Sequence, residues 1–280
     1  ARCLRAKSGS GKTWSAGGPA ASIGFCHQMC ELAGRTGTNL SKGRTMIEPE
    51  TTPIATKEAR PVAAFDVDGT LTWADSYLLF LRFVAGRFGF VVKMVQLIPV
   101  FVAYRLGGVP RSAVKEKTLT VFLAGMSAEE YLAQCQAYAQ MIYPIIARPD
   151  GLARLRAHQG VRDQVALVSA SLRDYLAVWA QELGVDHVLA TEVEIVNGRL
   201  TGRLLGDNCW GPGKLAAIQA GFKSAPLVAA YGDTRGDKEM LAAAQNPGFR
   251  IFEEAPRDRL IQLFSLYAGN SMERQLTNRL

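Results

Sequence analysis

The sequence predicts an α/β protein with a parallel sheet and an all-helical insertion after the first strand. Three short apolar runs lead to this reading: VAAF at 62–65, VALV at 165–168 and LVAAY at 227–231. Each ends in small or acidic residues, as expected where strands buried on both faces deliver side chains to a site at their carboxyl ends. Helical segments alternate with these runs, the pattern of a sheet covered by helices.

The first run passes into DVDGTLT (66–72), a buried strand opening into an acidic loop. From 75 to 143 apolar residues recur at helical spacing, with breaks at GGVP (107–110) and GMS (125–127). This divides the chain into a helical cap at 75–144 and a core formed by 46–74 and 145–280, with hinges expected near 72–75 and 144–149. Residues 150–158 read as a helix. SLRD at 171–174 has the spacing of a capping box ahead of a helix over 175–183, which Gly184 closes. Residues 191–205 alternate around Asn197-Gly198, a pair suited to a two-residue hairpin turn. A further helix opens at GPGK (211–214), and the third run enters GDTRGD (232–237).

The chain has 280 residues and a formal charge of +7, but the excess is concentrated in one place. Residues 1–45 hold seven Lys or Arg and one Glu, leaving 25 basic and 24 acidic residues in the rest. The body therefore lacks the basic surface expected of a nucleic-acid-binding protein. Residues 1–45 also show no sustained periodicity and read as a disordered extension, with Met46 a candidate natural start. Within them, GSGKT at 9–13 resembles the end of a phosphate loop but lacks its first glycine and a preceding strand. Cys26 and Cys30 lack the second close pair of a zinc site. Five cysteines in a chain of this length form no disulfide framework, and a cytoplasmic setting is expected.

The chemistry starts with Asp66 and Asp68, two carboxylates at one strand end that can take different roles. One can attack phosphorus while the other protonates the leaving oxygen and later activates water. Such a site must also neutralise phosphoryl oxygens. Lys214 is the candidate cation and Ser169 the hydroxyl donor, while Asp233 can hold magnesium with Asp66 and Asp237 can reach the same shell. Each residue alone fits a cap or loop; their order along the chain makes the constellation.

That order resembles the haloacid dehalogenase superfamily, whose four motifs correspond to Asp66–Thr72, Ser169, Lys214 and Gly232–Asp237. With its helical insertion between the first and second motifs, the chain is similar to the phosphoserine-phosphatase-like branch. The resemblance implies a Rossmann-like core, Mg2+ dependence and phosphomonoester hydrolysis. It implies Asp66 as nucleophile, Asp68 as general acid and base, and Ser169 and Lys214 as phosphoryl binders. Asp233 and the Asp68 carbonyl would be metal ligands, with Asp237 supporting the metal or Lys214. A phosphotransferase would use the same residues. A non-catalytic binding module would be expected to lose one of them, and none is lost.

Asp75, nine residues after Asp66, stands about where phosphoserine phosphatases place a glutamate that meets the substrate amine; it equally suits a helix N-cap. The expected substrate is a small phosphorylated alcohol, with amino alcohol phosphates such as phosphoserine or histidinol phosphate in first place. The alternative is a lipid phosphate of the phosphatidylglycerophosphate kind. It arises from FGFVVKMVQLIPVFVAY at 88–104, which is short for a membrane span and contains Pro99. An ordinary helix pair buried within the cap is the leading reading of this segment, and peripheral contact with anionic lipid the second. Arg111, Lys115 and Lys117 on the cap can meet a substrate phosphate or carboxylate, with a solvated helix face the leading expectation. His27, His158 and His187 are too scattered to form a ligand cluster, and Cys209 is expected in packing or the pocket wall. Oligomeric state is left open.

Overall fold

The computed structural model describes residues 59–268. The expectations for residues 1–45, for Met46, for Gly9–Thr13 and for Cys26, His27 and Cys30 concern positions outside the described residues.

The chain begins with β1 (Val62–Phe65), followed by four helices: α1 (Ser76–Gln96), α2 (Ile98–Arg105), α3 (Arg111–Leu123) and α4 (Ala128–Ile146). Then come α5 (Pro149–Gly160), β2 (Gln164–Leu172), α6 (Arg173–Glu182), β3 (His187–Val196) and β4 (Arg199–Leu205). The chain continues through α7 (Pro212–Phe222), β5 (Leu227–Gly232), a 3-10 turn (Arg235–Asp237), α8 (Lys238–Ala243), β6 (Asn246–Phe249) and α9 (Arg257–Ala268). The sheet order is β4-β3-β2-β1-β5-β6, and every pairing is parallel except the β3–β4 hairpin. This is the expected Rossmann-like arrangement, with β1 central.

Strand periodicity explains how the sheet is buried. Ala63 and Phe65 of β1, Val165 and Leu167 of β2, and Ala229 and Tyr231 of β5 join one apolar cluster. Their neighbours Val62, Ala64, Ala166, Val168 and Ala230 join a second cluster on the other face. The sequence-based expectation falls short at the edges. The start of β3 at His187 and all of β6 were not anticipated, because neither is a compact apolar run.

The helical insertion spans α1 to α4 and shares its core with the sheet. Phe80, Tyr138 and Tyr175 meet edge to face or tilted, and Tyr143 of α4 stacks on Trp179 of α6 with centroids 4.1 Å apart. Aromatic pairs of this kind add about 0.5–1.5 kcal/mol beyond area burial. The two junctions expected as hinges pair with each other: Thr72 bridges Ala147, and the Trp73 N–H donates to the Ile146 carbonyl at 2.8 Å. Buried Thr72 ties the turn together, donating to the carbonyls of Val67 and Ala74.

Candidate active site

The site lies at the carboxyl ends of β1, β2 and β5, roofed by α1 and α3. A cavity of about 320 Å³ is bounded by Asp66, Asp68, Ser169, Lys214 and Asp233 at its floor. Asp75, Tyr77, Arg111, Lys115, Trp73 and Trp210 face its upper part.

Asp66 follows β1 directly and is 5% exposed. Its Oδ1 accepts from the Lys214 ammonium at 2.5 Å, and the same ammonium donates to Asp237 Oδ1 at 2.5 Å. Lys214 reaches this position from the first turn of α7, where it is 2% exposed. The two carboxylates raise its pKa and keep it charged despite burial. Asp237 is fully buried, and its other oxygen accepts from the N–H groups of Asp233 and Thr234 and from the Thr234 hydroxyl. It therefore holds both the lysine and the loop that carries Asp233.

Oxygens of Asp66, Asp233 and Asp237 lie within 4.8 Å of one another. Three carboxylates against one ammonium leave excess negative charge in a buried place. Burial pushes the Asp66 carboxyl up to about 8, opposed by Lys214 and aided by Asp237 and Asp68. Asp233 is also raised, by burial and then by Asp237. Hard oxygen donors with surplus negative charge suit Mg2+, so the residues present fit the metal that the fold family uses. Asp68 is not in this carboxylate group: its side chain is turned to other partners.

Asp68 Oδ1 accepts from the Ser76 N–H at 2.8 Å, and Oδ2 accepts from the Ser171 hydroxyl at 2.5 Å. Burial, with Asp75 next in weight, pushes its carboxyl up to about 6, while the hydrogen bonds of Ser171 and Ser76 pull it down. A carboxyl poised there can carry a proton and give it up near neutral pH. Ser171 does not cap a helix as its spacing predicts. β2 runs on to Leu172, α6 starts at Arg173, and the serine side chain turns to Asp68. Ser169 is buried at the β2 irregularity; its oxygen accepts from the Ser171 N–H at 3.0 Å, leaving its own proton for a ligand.

Two glycines allow the parts to approach. At Gly69, φ is +87°, and a Cβ would lie 2.2 Å from Asp233 Oδ2. At Gly236 a Cβ would lie 2.3 Å from the Trp210 indole nitrogen, so only glycine lets that ring settle beside the 3-10 turn.

The upper part of the cavity departs from expectation. Lys115 is half-buried and lines the cavity, and Arg111 lines it too while staying exposed, whereas Lys117 is exposed and not part of the lining. Arg111 lies over the Trp210 ring at 4.9 Å and Lys115 over the Tyr77 ring at 4.0 Å. The Lys115 ammonium donates to the Ala170 carbonyl, and burial lowers its pKa to about 8. Asp75 fills both of its expected places: its Oδ1 caps α1 by accepting from the Leu78 N–H at 2.9 Å, and it lines the cavity. The Tyr77 hydroxyl and Trp73 Nε1 are buried without a hydrogen-bond partner at this same wall. Thr70, whose hydroxyl reaches Asp233 at 3.4 Å, belongs to the site by its place in the first motif. Sequence spacing gave no signal for Ser76, Tyr77 or Trp210.

The remaining candidates stay outside the chemistry. His158 joins Asp163 and Tyr231 at 2.7 and 2.8 Å. His187 packs edge-on against Phe222. Cys209 is buried, its thiol donating to the Leu189 carbonyl, and burial pushes its pKa up to about 11, which suits packing rather than nucleophilic attack.

Residues 63–242 match the family of haloacid dehalogenase-like hydrolases. The chain belongs to that family. Protein CicA of Caulobacter vibrioides is 36% identical over 70% of this chain and 88% of its own length. Phosphoserine phosphatase SerB1 of Mycobacterium tuberculosis is 31% identical over 68% of this chain and 66% of its own. Among solved structures, a protein of unknown function from Bordetella pertussis Tohama I is 26% identical, with a TM-score of 0.60 over 74% of this chain and 96% of that one. A phosphoserine phosphohydrolase-like protein from Francisella tularensis, at 17% identity and TM-score 0.52, shares the fold. The family makes the protein a hydrolase of the haloacid dehalogenase type.

Proposed function

We propose that the enzyme is a Mg2+-dependent phosphomonoesterase working through a phosphorylated Asp66. The observation that carries this is the Lys214 ammonium held between Asp66 and Asp237 beside Asp233, with Asp68 independently fixed by Ser76 and Ser171. Nucleophile and acid-base group are thus held by different partners and can keep different protonation states.

Asp66 and Asp233, with the Asp68 carbonyl, would hold Mg2+, whose charge would offset that of the phosphoryl oxygens. Lys214 and Ser169 supply the remaining donors, fixing the phosphoryl group near Asp66. Asp66 attacks phosphorus as the bond to the leaving oxygen breaks, and Asp68 gives that oxygen its proton. Asp68 then takes a proton from water, which attacks the aspartyl phosphate and releases inorganic phosphate, regenerating Asp66.

The favoured substrate is a small phosphorylated alcohol bearing an amine. Asp75 offers a carboxylate to an ammonium group, while Arg111 and Lys115 offer cations to an anionic group on the same molecule. That combination favours phosphoserine over histidinol phosphate, which has no carboxylate. A second reading, a lipid phosphate, draws on an apolar cavity of about 210 Å³ between α1, α2 and α3. Leu78, Met94, Phe101, Tyr104 and Val114 line it, and it shares Asp75, Tyr77, Arg111 and Lys115 with the first.

Phosphate release should be measured with and without Mg2+ across phosphoserine, histidinol phosphate, phosphocholine, sugar phosphates and phosphatidylglycerophosphate. Activity that requires Mg2+ and vanishes in Asp66→Asn is the expected result. Equal activity in the wild type and Asp66→Asn on every compound would overturn the mechanism. Added alcohol acceptors would divert phosphate from water if the enzyme were a phosphotransferase.

A further inference from the structure

The apolar segment at 88–104 does not bury itself as an ordinary helix pair. α1 breaks at Gly86 (φ +66°, ψ 172°), and beyond the break it turns one face inward and another outward. Phe90 and Met94 pack on the core, whereas Phe88, Val91, Val92 and Val95 stand in solvent at i, i+3, i+4 and i+7 spacing. α2 repeats this: Phe101 packs inward, while Ile98 and Val102 face out, with Leu106 just past the helix end. Phe88 and Leu106 are 82% and 81% exposed. A soluble surface rarely carries such a continuous apolar face without a partner.

Charge distinguishes among the partners. Residues 76–115 contain six Lys or Arg and no Asp or Glu. Arg87 and Arg105 are exposed at the margins of the apolar face, and Arg111 follows on α3. A second copy of this face would bring like charge against like. The segment 1–45, with seven cations and one acid, would do the same. No helix among the described residues is long and apolar enough to cross a membrane. We propose that the outward face of α1 and α2 docks on an anionic lipid surface, its apolar side chains entering the interface while the marginal arginines meet lipid phosphates.

The apolar cavity lies behind this face, between it and the catalytic floor. Docking would therefore bring the upper wall of the site close to the lipid, yet it does not depend on the substrate being a lipid. The test is independent of catalysis as well.

The full chain should be floated with vesicles of phosphatidylcholine alone and of phosphatidylcholine with about one third phosphatidylglycerol. Wild-type protein is expected to bind the anionic vesicles, less so at high salt, and to bind the zwitterionic ones weakly. Val91→Glu with Val95→Glu, and separately Ile98→Glu with Val102→Glu, should weaken binding at least about tenfold. Because all four side chains are exposed, these variants should retain the wild-type circular dichroism and hydrolysis of a soluble aryl phosphate. A third variant, Arg87→Gln with Arg105→Gln, should lose mainly the preference for anionic vesicles. Failure of wild type to bind either vesicle would overturn the proposal. So would binding that both glutamate variants retain, which would place lipid contact elsewhere, such as in residues 1–45. A dimer in sedimentation velocity that the glutamate variants dissociate would assign the face to a second copy.

Discussion

The Ser171 hydroxyl donates to Asp68 Oδ2 at 2.5 Å, joining the end of the second strand to the loop after the first across 103 positions of sequence. This bond favours the carboxylate form, opposing the burial that holds Asp68 up at about 6. Ser171→Ala should raise the Asp68 pKa further. In kcat/KM against pH, the limb that falls as Asp68 loses its proton should move up by about one pH unit. An unmoved limb, with Ser171→Ala folded and active, would detach Asp68 from the proton transfer.

Stability without Mg2+ should fall as pH rises. Asp66 and Asp68 have folded-state values of about 8 and 6 against an ordinary 3.8, so both stay protonated where the unfolded chain has ionised. Their contribution is complete below the ordinary value and is lost as pH rises through 6 and then 8. The melting temperature in chelator should drop by several degrees between about pH 5 and about 8.5. Added Mg2+ should restore it, since the ion binds the folded site. A flat profile would contradict the burial argument.

Lys214→Met should be costly in two ways. It leaves the buried Asp237 carboxylate without its cation and Asp66 without its donor, a loss on the order of 3–5 kcal/mol in urea unfolding near neutral pH. It also removes a donor for the phosphoryl group, and kcat should fall by about a hundredfold or more.

Gly69→Ala should act on Asp233. The new methyl would lie 2.2 Å from Asp233 Oδ2 at a backbone φ of +87°. Strain of about 1–3 kcal/mol is expected, together with at least about tenfold weaker Mg2+ binding by calorimetry. Unchanged Mg2+ affinity would remove Asp233 from the metal site.

Asp75→Asn separates the two roles of that residue. Asparagine caps helices about as well as aspartate, so the melting temperature should stay within a degree or two. The lost charge should lower kcat/KM for an amine-bearing phosphate by about tenfold while sparing a neutral sugar phosphate. Equal losses on both substrates would remove the amine contact and leave Asp75 to the helix cap and to the Asp68 carboxyl that its charge raises.

The apolar runs of β1, β2 and β5 were legible because strands buried on both faces leave a continuous hydrophobic signature. The breaks at 107–110 and 125–127 were equally legible, since glycine and proline end helices through local geometry. β6 was not: NPGF is held as a strand by pairing with β5, which no local preference announces. The same holds for Ser171, whose spacing suggests a cap but whose actual partner lies across the sheet.

Taken alone, the sequence determined the order and identity of the candidate site residues, because Asp66, Asp68, Ser169, Lys214, Asp233 and Asp237 sit at the ends of recognisable elements. Tertiary structure decided their company: Lys214 between two carboxylates, Asp68 on two serines, half-buried Lys115 and exposed Arg111 both lining the cavity. It also decided that the apolar arm at 88–104 is half buried and half bare. Hydrophobic periodicity records how apolar a helix is on each side, whereas which side finds a neighbour depends on the packing of distant segments.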